Sequence, residues 1–82
     1  MDNDKLLERI VTHPDVMVGK PVIRGTRLTV QYIVSLLAHG ASIEEILGEY
    51  EGLTREDILA CLLFASEALD STTFVPLTAD AK

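Results

Sequence analysis

The sequence predicts a mainly α-helical domain, a trihelical, helix-turn-helix-like bundle preceded by short β-strands or a hairpin. Three observations carry this. Apolar residues recur at helical spacing in three segments after residue 29. Each segment opens on a Thr or Ser of the kind that caps a helix, and glycines at 40 and 52 separate the segments. Upstream, Val22, Ile23, Leu28 and Val30 gather around Arg24-Gly25-Thr26, a pattern of β-formers about a turn.

The elements follow in order. Residues 1–8 read as a flexible N-terminus. Ile10 and Val11 precede His13-Pro14, and the residue before a proline avoids the helical region, so a short extended piece ends there. Gly25 is free to take a positive φ, which makes a tight hairpin or bulged turn; Gly19 and Gly25 are the expected turn positions. Strands this short do not stand alone. They rest either on the helices or on the same segment of a second chain. The β element thus covers 9–28.

Thr29 caps a first helix of about 30–39, with Val30, Ile33, Val34 and Leu37 on one face and Gly40 closing it. Ser42 and Glu45 have capping-box spacing for a helix over 43–50. Its inner stripe is Ile43, Ile46, Leu47 and Tyr50, while Glu44, Glu45 and Glu49 face water. Thr54 caps a third helix over 55–69, with Asp57 at its third position and Ile58, Cys61, Leu62, Ala65 and Leu69 on one face. Residues 9–69 make one domain, and 70–82 form a C-terminal arm.

The third helix has more apolar residues than one face needs. At about 100° per residue, Leu59 and Leu63 fall to one side of the stripe and Phe64 to the other. Either the N-terminal strands cover them or they form a dimer or partner interface. A chain of 82 residues has a small core. Cys61 is its single cysteine, so no disulfide forms within it, and a homodimer is the expected aid to stability.

Charge bounds the function. Seven Lys and Arg face thirteen Asp and Glu, for a formal net charge of −6. The imbalance lies in the second half: residues 1–40 hold five cations and four anions, residues 41–82 two and nine. Polyanion binding along the whole chain is thereby excluded. Three of the cations, Lys20, Arg24 and Arg27, sit in the nine residues "GKPVIRGTR". They offer a contact surface for DNA or a partner, or they make internal salt bridges to the surplus acids. Arg55, at the start of the third helix, is a further candidate DNA contact. The neighbouring Glu56 and Asp57 would repel a phosphate backbone at that end.

Catalysis finds no support. His13 and His39 are isolated, Cys61 lies in an apolar stripe, and no His/Cys/Asp cluster has ligand spacing. Gly19-Lys20 is followed by Pro21 and a strand, unlike a phosphate-binding loop. No enzyme, cofactor or metal is expected. The charged start, the lone cysteine and the lack of a bilayer-length apolar run predict a soluble cytoplasmic protein.

The string G-K-P-x-I-x-G-T-R-x-x-V, here Gly19 to Val30, together with the later "SIEEIL-EY-LT-EDI" pattern, closely resembles the DUF433 family over about residues 9–69. The resemblance implies a homeodomain-like helical domain with a short β element before the helices. It also implies an antitoxin of a toxin-antitoxin system, since such proteins are often encoded beside a PIN-like toxin. The role implied is to neutralise that ribonuclease-like partner, with DNA binding at its own promoter as the alternative or additional activity.

Overall fold

A computed structural model describes residues 3–70. It is mainly α-helical, with a small antiparallel β pair ahead of a helix-turn-helix-like bundle, as the sequence pattern predicts. The elements are α1 (Asn3–Leu7), β1 (Ile10–Val11), β2 (Val22–Ile23), α2 (Val30–Ala38), α3 (Ile43–Glu49) and α4 (Arg55–Asp70). Of the expected C-terminal arm, residues 71–82 lie outside the described residues.

Each helix of the bundle starts where its cap dictates. The Thr29 side chain accepts from the Tyr32 backbone N–H at 3.0 Å. At α3 the capping box is complete: Ser42 Oγ accepts from Glu45 N at 3.0 Å, and Glu45 Oε1 accepts from Ser42 N at 2.8 Å. Thr54 and Asp57 make the same reciprocal pair at α4, at 3.3 and 3.0 Å. These bonds satisfy amide groups that a helix start otherwise leaves without partners.

The core is Ile23, Val30, Ile33, Ile46, Ile58 and Cys61, drawn from β2 and the three main helices. Half-buried Val34, Leu37, Ile43, Leu47 and Tyr50 pack around it, as their spacing predicts. On α4 the expected stripe holds only in part. Leu62 is 39% exposed and Leu69 67%, whereas Asp57 and Ala60 are buried beside Ile58 and Cys61. The inward face of α4 is turned toward Asp57, Ala60, Cys61 and Phe64 because α1 and β1 lie against α4 as well as α2.

Two differences concern the N-terminal region. Residues 3–7, read as flexible, form α1, and Leu6 is buried against the body of the fold. One apolar side chain in an otherwise charged stretch was too weak a periodic signal to announce a helix. The strands also pair differently from a simple Gly25 hairpin. β2 is antiparallel to β1, with Ile10 opposite Ile23 and Val11 opposite Val22. The Gly25 turn closes on the other edge of β2: Ile23 N donates to the Leu28 carbonyl at 3.0 Å, and Val22 bridges Thr29. Gly25 sits at φ +80°, and Thr26 Oγ1 ties the turn by donating to the Ile23 carbonyl and accepting from Leu28 N. Both sides of the short β2 strand are therefore engaged within the chain.

Between β1 and β2 the backbone makes an unusual left-handed turn. Met17, Val18 and Gly19 have φ of 51°, 56° and 77°. The turn is held by Gly19 N donating to the Val16 carbonyl and Lys20 N to the Met17 carbonyl. Glycine adopts this region freely; a β-branched valine does so at a cost on the order of 1–2 kcal/mol. Val18 is nonetheless 91% exposed.

Candidate interaction surfaces

The cations of the "GKPVIRGTR" stretch do not form one patch. Lys20 lines an apolar groove between α2 and α4, together with Pro21, Val30, Val34, Phe64, Ala65 and Leu69. Arg24 lines a separate cleft at the start of α4, with Arg9, Thr54 and Asp57. Arg27 borders neither cleft. All three are exposed, as is Arg55. The divergence follows from the local fold: the Gly25 turn reverses the chain after Arg24, and Pro21 sends β2 away from Lys20.

Among the described residues neither Arg24 nor Arg27 takes part in a salt bridge. Among the described residues the ion pair is Arg9 Nη1 with Asp57 Oδ1 at 3.0 Å. It joins the start of β1 to the start of α4 across 48 residues of sequence. Asp57 is engaged at both oxygens, since Oδ2 accepts from Thr54 N. Its charge is balanced by a guanidinium, so of the two acids expected to repel a phosphate from this end of α4, one is already paired. Arg9, placed beside Arg24 by the bond from Arg24 N to the Arg9 carbonyl at 2.7 Å, was not visible as a site residue in the sequence. Asp57 could be read as a capping residue; its ion pair could not.

The groove between α2 and α4 has a volume of about 540 Å³ and an almost wholly apolar wall. Phe64 packs against the core at its floor, and Leu69 stands at its edge. The expected interface residues thus separate. Phe64 belongs to this groove, while Leu59 and Leu63 are half-buried elsewhere on the helix that α1 and β1 pack against.

A third feature lies on the α2–α3 side. The Tyr32 and Tyr50 hydroxyls are 2.6 Å apart, and their rings meet edge-on with centroids at 6.2 Å. The Tyr50 pKa is raised, chiefly because its hydroxyl proton is held in the hydrogen bond to Tyr32 and would have to leave it, with desolvation adding to this. The stripe of α3 located Tyr50, but nothing in the sequence paired it with Tyr32.

Among the described residues no group of three or more His, Cys, Asp or Glu is placed to hold a metal ion. Cys61 is buried, and desolvation pushes its thiol up to about 12, far from the range of a reactive thiolate. Among the described residues no helix is long and apolar enough to cross a membrane.

Comparison with known proteins gives the family context. Residues 10–65 match the family described as "Protein of unknown function (DUF433)". The "Uncharacterized protein y4eO" of Sinorhizobium fredii is 34% identical over 58 residues, which are 71% of this chain and 26% of that protein. The crystal structure of a DUF433 member from Anabaena variabilis superposes with a TM-score of 0.74 at 33% identity, covering 82% of this chain and 66% of the other. The chain thus spans about a quarter of the rhizobial relative and just under two thirds of the cyanobacterial one.

Proposed function

The chain belongs to the DUF433 family, and from that premise we propose that it is a non-catalytic, homodimeric antitoxin-like module that binds and neutralises a PIN-like nuclease. The observation that carries this reading is the exposure of three arginines, with Arg24 in the cleft at the start of α4, Arg55 in the first turn of that helix and Arg27 just past the Gly25 turn. Arg24, Arg27 and Arg55 are exposed, and none of them shares the one ion pair found among the described residues. A nuclease of this type has a carboxylate cluster at its metal site. Guanidinium groups pair with carboxylates through two parallel hydrogen bonds, so such an arginine blocks the metal and the substrate phosphate together. The positive φ of Gly25 sets Arg24 and Arg27 on a tight projecting turn.

The experiment is co-expression with a PIN-like nuclease, followed by co-purification and a ribonuclease assay. A stable complex with suppressed activity is expected. Failure of the two proteins to associate, with full nuclease activity retained, rejects the reading.

A second reading has its own support. In a helix-turn-helix pair the second helix enters the major groove with its N-terminal end leading. Here that end carries Arg55, and the Arg9–Asp57 ion pair removes part of the acidic barrier. Promoter DNA is then a second ligand of the same end of α4. Binding should weaken with salt, and each neutralised phosphate contact should flatten the log–log slope by about one unit.

A further inference from the structure

We propose that the groove between α2 and α4 is the dimer seat, and that its occupant is the Met17–Val18 turn and the end of α4 from a second copy of this chain. This rests on the homodimer reading above and gives it a location.

Three observations support it. The first is the groove itself, apolar and open, with Leu69 standing 67% exposed at its edge. The second is a projection beside it. Met17 is 41% and Val18 91% exposed on a left-handed turn, two or three residues before Lys20, which lines the groove. A β-branched residue held at positive φ and offered to water is costly in both respects. Burial against an apolar wall offsets that cost. A projection two or three residues from a groove-lining residue suits a two-fold axis, about which each copy gives its projection to the other's groove.

The third observation is charge. Lys20 is the one Lys or Arg in the groove wall, and it has no ion pair among the described residues. The exposed edge of α4 at the same end carries Glu67 and Asp70. Two copies brought together on this face set a cation of each against the acids of the other. An identical partner therefore satisfies shape and charge at once, in a protein whose overall net charge of −6 otherwise opposes self-association.

The test is sedimentation of the full chain over a micromolar concentration series, with variants chosen from exposed positions so that folding is retained. Wild type should sediment at twice the 9.0 kDa chain mass. Leu69→Glu and Val18→Asp should each raise the dimer dissociation constant roughly 30-fold, the ratio expected for losing an anchor residue. Val18→Gly separates strain from contact: it should raise the melting temperature of the monomer yet weaken the dimer. Lys20→Glu should weaken association, and adding Glu67→Lys and Asp70→Lys to it should recover association. A wild-type mass of 9.0 kDa throughout overturns the dimer and this face together. A dimer indifferent to all these changes overturns only the location. If Phe74→Asp in the C-terminal segment turns a monomer into a dimer, the groove belongs to the chain's own tail, and the second copy is rejected as its occupant.

Discussion

Asp57 shows how one residue can be read half correctly from sequence. Its position three residues after Thr54 announces a cap, and its carboxylate does accept from Thr54 N. The other oxygen reaches Arg9, a contact no local pattern can announce because the partner lies 48 residues away. Asp57→Ala removes the cap and strands Arg9, so it should cost about 2 kcal/mol, read as a lower urea midpoint with unchanged slope. Arg9→Ala should cost less, since its side chain is 41% exposed and Asp57 keeps the Thr54 bond. Cys61 gives a pH test. Its folded pKa is raised from 9.0 to about 12 by burial, with Asp57 adding a smaller push. Between those values the unfolded thiol loses its proton while the folded one keeps it, so the unfolded state binds fewer protons and stability falls as pH rises. The effect is absent below pH 9. A Cys61→Ser or Cys61→Ala variant should lose that alkaline decline, and native Cys61 should resist alkylation at neutral pH until the protein is unfolded.

At the scale of elements, the three main helices were legible because their caps and stripes agree. Thr29, Ser42 and Thr54 each open a helix, and Ile33, Ile46 and Ile58 each lie at the centre of a buried face. Less legible is what depends on distant chain. α1 holds one buried side chain, Leu6, and needs the side of α4 to define it. β2 takes its partner from β1, eleven residues back, as well as from the Gly25 turn ahead of it. The rotation of α4 that exposes Leu62 and buries Ala60 follows from packing on more than one side, which a single-stripe reading cannot supply. The Gly25 turn carries a direct prediction. With φ at +80° and open space where a Cβ would project, the difficulty at Gly25 is backbone strain and not crowding. Gly25→Val should therefore destabilise by roughly 1–2 kcal/mol, visible as a lower melting temperature. Gly25→Asn, which tolerates the left-handed region better, should cost less.

At the scale of the molecule, the exposed cations are sorted onto different faces. Lys20 goes to the α2–α4 groove, and Arg24 goes to the cleft at the start of α4 beside Arg9. The sequence shows the concentration of charge but not this divergence, which is made by Pro21, β2 and the Gly25 turn. Under the proposals above, Lys20 and the arginines act separately. Lys20→Ala should change self-association and leave nuclease inhibition intact at concentrations where the dimer persists. The central proposal is that the exposed Arg24 and Arg27 neutralise a nuclease. It is tested most directly by titrating a PIN-like nuclease with wild type, Arg24→Ala and Arg27→Ala while recording RNA cleavage, each variant first matched to wild type in melting temperature. The account predicts inhibition by wild type and a loss in the variants of roughly 30-fold or more, the scale of breaking a charged pair in a desolvated interface. Equal inhibition by all three proteins, at equal melting temperature, would contradict it.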